Sequence, residues 1–94
     1  VIVYGGDNIY PDQVEEIIEQ IGTVIEAAVV GVEDPVYGEK PRAYVVKDPH
    51  SSLTKEDILN YCSDRLASYK VPEVYFIDQL PKNQLGKVLK RELK

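Results

Sequence analysis

A chain of 94 residues with a net charge of −5 and a single cysteine is long enough for one small domain, and it excludes several classes of protein. Cys62 cannot form an intramolecular disulfide, which favours a reducing, cytoplasmic location, and no apolar run approaches the ~18 residues of a membrane span. The acidic balance disfavours nucleic acid as the main partner, because binding to a phosphate backbone requires a broad basic surface.

The first quarter of the chain predicts a short strand, a turn and a helix. Residues 1–4 are β-branched or aromatic and lead into Gly5 and Gly6, which suit a tight turn with positive φ. A helix is predicted to begin at Pro11, because proline is favoured at the first position of a helix, and to end near Gly22. Its apolar stripe consists of residues with helical spacing: Val14, Ile17, Ile18 and Ile21.

Two consecutive strands are predicted in the middle of the chain. Residues 24–32 are almost continuously apolar, which predicts a central strand that is buried on both faces. A turn over residues 34–38 precedes a second strand at residues 42–47. Because only residues 33–41 connect these strands, the simplest arrangement is antiparallel.

The remaining chain predicts a helix, a third strand and a short terminal helix. Thr54 and Asp57 form an N-cap pattern, and the apolar face of this helix includes Cys62, which we interpret as a core residue rather than a nucleophile. Residues 74–77 form the third strand and residues 88–93 the terminal helix. The predicted fold is α+β: a three-stranded, mainly antiparallel sheet covered by helices, with a short two-stranded element at the N-terminus.

Basic side chains are concentrated at the C-terminal end. Residues 1–81 carry six basic and fifteen acidic side chains, a balance of −9, whereas residues 82–94 carry five basic and one acidic, a balance of +4. This distribution indicates that an anion is bound there, although a solvated terminus explains the charge equally well. Gly86 leaves space beside Lys87, whose ammonium could stabilise charge on a phosphoryl or carboxylate oxygen; a simple surface lysine is the alternative.

Several common catalytic motifs are excluded. One cysteine and one histidine cannot build a structural zinc cluster. The double glycine at residues 5–6 lacks the third glycine of a dinucleotide fingerprint, and residues 86–87 lack the earlier glycine of a P-loop. No metal site is predicted, because the acidic residues of the first helix are interpreted as its solvated face: Glu15, Glu16 and Glu19.

Three segments resemble the C-terminal domain of the acyl-CoA synthetases, which are adenylate-forming acid–thiol ligases. They are residues 5–16 (GGDNIYPDQVEE), 27–46 (AAVVGVEDPVYGEKPRAYVV) and 81–93 (PKNQLGKVLKREL), and they follow the order and spacing of that family. The resemblance implies that residues 1–94 are a mobile C-terminal domain, inactive alone, and that its partner is an N-terminal domain that binds ATP and the acid. The start on Val1, without an initiator methionine, fits part of a longer protein.

The resemblance also implies a two-step reaction. A carboxylate attacks the α-phosphate of Mg-ATP to give an acyl-adenylate and pyrophosphate, and coenzyme A then takes the acyl group as a thioester. ATP, Mg²⁺ and coenzyme A are therefore expected for the full-length enzyme, with no cofactor bound by this domain alone. The acid remains unnamed, because its pocket would lie in the N-terminal domain.

Five residues receive roles from the same resemblance. Lys87 would bridge the carboxylate and α-phosphate oxygens in the first step as a fixed cation, in a loop supported by Asn83 and Gly86. Gly5 and Gly6 would border the route of the pantetheine arm in the second step, after the small domain has rotated.

Two alternatives to this function remain open. A stand-alone binding or regulatory module of the same fold could use the basic tail against an anionic partner. A ligase that loads a carrier protein could contact that protein through the tail and the acidic first helix. The other tail cations are interpreted as a solvated helix or as contacts with the nucleotide end of coenzyme A: Lys90, Arg91 and Lys94.

Overall fold

The computed structural model describes residues 1–93, which form five strands and two α-helices. There are two short 3₁₀ turns: Ser68–Lys70 follows the second helix, and Lys90–Leu93 lies at the end of the described residues. The main elements are β1 (Ile2–Tyr4), β2 (Asp7–Ile9), α1 (Pro11–Glu19), β3 (Val24–Asp34), β4 (Gly38–Lys47), α2 (Lys55–Ser63) and β5 (Glu73–Phe76).

The two helices begin for different local reasons. Helix α1 has no side-chain cap, but Pro11 occupies its first turn, where the missing N–H needs no partner. Helix α2 begins with a capping box, in which Asp57 N donates to Thr54 Oγ1 at 3.1 Å and Thr54 N donates to Asp57 Oδ2 at 2.9 Å. The predicted starts of both helices are confirmed. Helix α1 ends before the predicted Gly22, because the chain already turns into β3 there.

All five strands form one sheet with β4 at its centre. Strands β3 and β4 are antiparallel from the pair Val24↔Lys47 to the pair Asp34↔Gly38. On the other side of β4, Tyr4 of β1 pairs with Gly38, and β5 runs parallel to β4. The α+β prediction is confirmed, and the predicted two-stranded N-terminal element is the β1–β2 hairpin, which joins the sheet through the pair Tyr4↔Gly38. Strand β5 is parallel because the α2 crossover returns the chain to the same end of β4.

The sheet is covered on both faces. Helices α1 and α2 pack on one face, where the fully buried Cys62 belongs to the core and burial raises the pKa of its thiol to about 11. The C-terminal segment covers the other face. The buried cluster on that face combines residues of β3 and β4 with residues of the C-terminal segment: Ala28, Val30, Val46, Leu80 and Leu93. Cys62 is therefore a core residue, as predicted.

Strand β3 lies at an edge of the sheet rather than at its centre, so its predicted position was wrong although both of its faces are covered. Helix α1 lies along this edge. Glu15 Oε2 accepts a hydrogen bond from Val29 N at 2.8 Å, and Glu19 Oε2 accepts one from Ala27 N at 3.2 Å. The interpretation of these residues as a merely solvated face is therefore corrected: Glu15 is partly buried, Glu19 is exposed, and both accept hydrogen bonds from N–H groups on the outer edge of β3.

Two further features of the described residues bear on function. No helix within residues 1–93 is long and apolar enough to cross a membrane. The same residues contain no group of three or more histidine, cysteine, aspartate or glutamate side chains that could hold a metal ion.

Candidate functional site

Lys87 lies near the end of a tight hairpin, residues 82–88, which we call the Lys87 loop. Its two end residues pair as an isolated antiparallel bridge. Inside the bridge, Asn83 N donates to Lys87 O at 3.0 Å and Gly86 N donates to Asn83 O at 3.0 Å. Gly86 has φ +84°, a left-handed conformation that costs glycine little. The loop is therefore closed by its own backbone.

The Asn83 side chain holds this loop from the inside. Its Oδ1 atom accepts hydrogen bonds from Leu85 N at 2.9 Å and from Lys87 N at 3.0 Å. An asparagine bonding its own backbone two residues ahead is a common way to stabilise a turn. Asn83 thus fixes the backbone from which the Lys87 side chain projects.

Lys87 is exposed, and among residues 1–93 no carboxylate lies within 4.0 Å of its ammonium. Its neighbouring cations differ. Lys82 Nζ lies 2.9 Å from Glu26 Oε1, and Lys90 Nζ lies 2.7 Å from Glu15 Oε2. The ammonium of Lys87 is therefore available to a ligand, whereas those of Lys82 and Lys90 are partly neutralised.

The other tail cations require a correction. Residues 88–93 do not form a solvated α-helix, because only Lys90–Leu93 are helical, as a 3₁₀ turn, and Leu93 is buried. Lys90 forms an ion pair with Glu15 on α1, and its side chain stays 41% exposed. Arg91 is exposed, and Lys94 lies outside the described residues.

Gly5 and Gly6 form the two-residue turn of the β1–β2 hairpin. Gly5 has φ +61°, the sign that a type II′ turn demands at this position, and its N–H donates to Tyr37 O at 2.7 Å. A side chain at Gly6 would meet no atom within 4 Å. The turn is thus pinned at Gly5 and open at Gly6.

Tyrosine rings lie beside this turn. Tyr4 stacks on Tyr37 with 4.4 Å between ring centroids, and Tyr69 lies 6.1 Å from Tyr4 on a separate segment. Loss of solvent raises the pKa of Tyr4, and the proximity of Tyr37 adds to the effect. The sequence analysis did not single out these rings, because nothing local indicates that three distant segments meet.

The two predicted groups of site residues lie at opposite ends of the sheet. Tyr4, next to Gly5, pairs with Gly38 at the start of β4. Glu26, which contacts the Lys87 loop, pairs with Val46 near the end of β4. Eight residues of strand separate these positions, which corresponds to roughly 26 Å. Asn83, Gly86 and Lys87 come together, but Gly5 and Gly6 do not join them.

Comparison with known proteins identifies relatives of the whole chain. It is 57% identical over 94 residues to YdaB of Bacillus subtilis (strain 168), named as an acyl-CoA ligase, and the match covers all of this chain and 19% of YdaB. ATP-bound MatB from Rhodopseudomonas palustris is 36% identical with a TM-score of 0.95, over 99% of this chain and 19% of that one. The complex of o-succinylbenzoate CoA synthetase (MenE) from Bacillus subtilis with the acyl-adenylate intermediate OSB-AMP is 40% identical with a TM-score of 0.91, and the coverage is the same.

The chain spans about a fifth of the length of these relatives. The family model for the AMP-binding enzyme C-terminal domain matches residues 13–87, which include most of α1, the sheet from β3 to β5 and the loop up to its lysine. With most of the chain matched in this way, the resemblance seen in the sequence is confirmed, and the protein belongs to the family of AMP-binding enzyme C-terminal domains.

Proposed function

We propose that this domain is the C-terminal part of an acyl-CoA ligase, which activates a carboxylic acid with ATP and transfers the acyl group to coenzyme A. Support comes from relatives over the whole chain that are named as a CoA ligase or were solved with ATP or an acyl-adenylate. ATP, its magnesium ion and the acid would be held by a larger domain, which would be the main partner of this one.

Lys87 would act in the first half-reaction. When a carboxylate attacks the α-phosphate of ATP, two negative groups approach each other and charge shifts to the pyrophosphate leaving group. A fixed ammonium between the two groups lowers this repulsion, and a well-placed donor of this kind is worth about 3 kcal/mol. Lys87 needs to transfer no proton in this step, so its role is electrostatic.

Gly5 and Gly6 would act in the second half-reaction. The thiol of coenzyme A attacks the acyl carbon, and the new carbon–sulfur bond forms as the bond to AMP breaks. A turn without side chains leaves space for the narrow pantetheine arm. Because this turn and the Lys87 loop lie at opposite ends of the sheet, the domain would rotate between the two steps to present each in turn.

The observation that carries this proposal is the exposed Lys87 ammonium, which has no carboxylate partner within residues 1–93 and projects from a loop that Asn83 and Gly86 hold in shape. The test is Lys87→Ala in the intact ligase. ATP–pyrophosphate exchange, which reports the first half-reaction, is expected to fall by about 10²-fold or more. Thioester formation from supplied acyl-adenylate is expected to survive.

Lys55→Ala provides the matched control, because Lys55 is an exposed cation on α2 that lies outside the Lys87 loop and outside the basic tail. It is expected to leave both half-reactions close to wild type. An equal loss of both half-reactions in Lys87→Ala, or unchanged pyrophosphate exchange, would contradict the proposed role of Lys87.

A further inference from the structure

The Lys87 loop is tied to the body of the domain by two ion pairs, one before the loop turns and one after it. Lys82 Nζ lies 2.9 Å from Glu26 Oε1 and 3.1 Å from Glu26 Oε2. Beyond the loop, Lys90 Nζ lies 2.7 Å from Glu15 Oε2. Glu26 belongs to β3 and Glu15 to α1, so both partners stand on rigid elements.

Apolar contacts reach the loop only at its last residue, Val88. Leu80, 4% exposed, and Leu93, 9% exposed, pack on the sheet before and after it, and Val88 packs against the same cluster. Residues 82–87 are all exposed, and Leu85 at the turn is 92% exposed. The backbone of the first arm is bonded to the second arm, and the side-chain contact of the first arm with the sheet is the Lys82–Glu26 pair, because residues 82–87 are exposed.

We propose that Glu26 and Glu15 are positioning residues for the adenylate-forming step, acting through Lys82 and Lys90 to fix the direction of the Lys87 loop; this inference depends on the proposed function of Lys87. Glu15 is itself held in place, because its Oε2 atom also accepts the hydrogen bond from Val29 N at 2.8 Å. Through these two contacts, Glu15 of α1 connects the edge of β3 to the segment that follows the Lys87 loop.

Such a role affects rate far more than stability. Exposed ion pairs contribute little to the free energy of unfolding, whereas a displacement of 1 Å at a reacting centre can lower a rate by about 10²-fold. The Gly5–Gly6 turn lies at the other end of the sheet, so a displaced Lys87 loop is not expected to disturb the thioester step. A change confined to one half-reaction distinguishes positioning from a general loss of folding.

The experiment uses the intact ligase and measures ATP–pyrophosphate exchange, thioester formation from acyl-adenylate, and melting temperature. Lys82→Gln and Glu26→Gln are each expected to lower the kcat of exchange by about 10-fold with little change in the KM for ATP. The double variant is expected to be no slower than either single variant, because both remove the same interaction. The exchanged pair Lys82→Glu with Glu26→Lys is expected to recover most of the activity.

Lys90→Gln tests the second pair without removing the acceptor that Glu15 provides to Val29, and a decrease in exchange kcat of similar size is expected. Lys40→Gln is the matched control. It breaks another ion pair of the same sheet, in which Lys40 Nζ lies 3.0 Å from Glu73 Oε2, away from the loop. Both half-reactions are expected to stay at wild-type rates in this control.

The positioning role is overturned if the Lys82 and Glu26 variants keep wild-type exchange while Lys87→Ala loses it. It is also overturned if the exchanged pair fails to recover activity, since Lys82 would then act on the substrate directly. Unchanged exchange in Lys87→Ala would instead remove the proposed function together with this inference. Equal losses in both half-reactions with a lowered melting temperature would assign the ion pairs to folding alone.

Discussion

The side-chain oxygen of Asn83 accepts a hydrogen bond from the backbone N–H of Lys87 at 3.0 Å, across the turn that separates them. The same oxygen accepts one from Leu85 N at 2.9 Å. One short side chain therefore sets the shape of the whole turn. Gly86 completes it by adopting a positive φ of 84°, so the internal shape of the turn that carries the lysine is determined within five residues of sequence.

Replacing Asn83 by alanine is expected to loosen the turn and slow the first half-reaction. The N–H groups of Leu85 and Lys87 are exposed, so water replaces the lost acceptor and the free energy of unfolding changes by less than about 1 kcal/mol. ATP–pyrophosphate exchange in the intact ligase is expected to fall by about 10-fold as Lys87 loses its fixed direction. Asn83→Asp keeps an acceptor oxygen and serves as the control; equal exchange rates in both variants would contradict the idea.

A leucine at Gly6 is expected to obstruct the second half-reaction without harming the fold. Gly6 does not have a positive φ, and an added Cβ meets no atom within 4 Å, so the turn accepts a side chain. Thioester formation from acyl-adenylate is expected to fall by about 10-fold or more as the leucine occupies the route proposed for the pantetheine arm, while pyrophosphate exchange is retained. Gly22→Leu, at an equally open glycine outside the site, should leave both steps unchanged.

Removing both edge carboxylates, Glu15→Ala with Glu19→Ala, is expected to destabilise the domain and cause it to self-associate. Val29 N and Ala27 N lose their acceptors, which costs about 1–3 kcal/mol for a poorly hydrated donor and uncovers a strand edge that can pair with another chain. Urea unfolding and light scattering measure the two effects. Glu16→Ala, at an exposed position of the same helix, should behave as wild type.

Asp34, in the turn between β3 and β4, is expected to make the free energy of unfolding depend on pH. Hydrogen bonds from Tyr37 N and Val36 N hold the pKa of Asp34 below its ordinary value. The stabilisation is therefore complete above the ordinary aspartate pKa of about 4 and is lost as the pH falls through the lower pKa of the folded state. In Asp34→Asn, the decrease in unfolding free energy below that pH should be shallower; identical pH profiles would exclude this contribution.

Much of the fold was predictable because it is local, whereas the role of Lys87 was assigned from the family resemblance and stays a prediction. The Thr54 capping box, the start at Pro11 and the turn at Gly5 each depend on residues within a few positions of one another. The lysine loop belongs to the same class, since Asn83 and Gly86 act on a segment of seven residues. The conformation of such short segments can be predicted from the residues within them.

Partners that are distant in the sequence could not be predicted. Lys82 and Glu26 are separated by 56 positions, and no periodicity relates them. Strand β3 appears central in the sequence because it is apolar on both faces, yet its outer edge pairs with the carboxylates of α1 instead of a further strand. The meeting of Tyr4, Tyr37 and Tyr69 likewise requires the assembled sheet.

The pairing of Lys82 with Glu26 and of Lys90 with Glu15 has an electrostatic consequence for how the domain meets its nucleotide. Two of the five basic side chains in the tail, Lys82 and Lys90, are paired with carboxylates, and residues 1–81 carry a charge of −9. The field of Lys87 then fades within about 8 Å at physiological ionic strength. We therefore expect the domain alone not to bind free ATP in solution, and Lys87 to contact a phosphate only when the proposed larger domain holds that phosphate next to it.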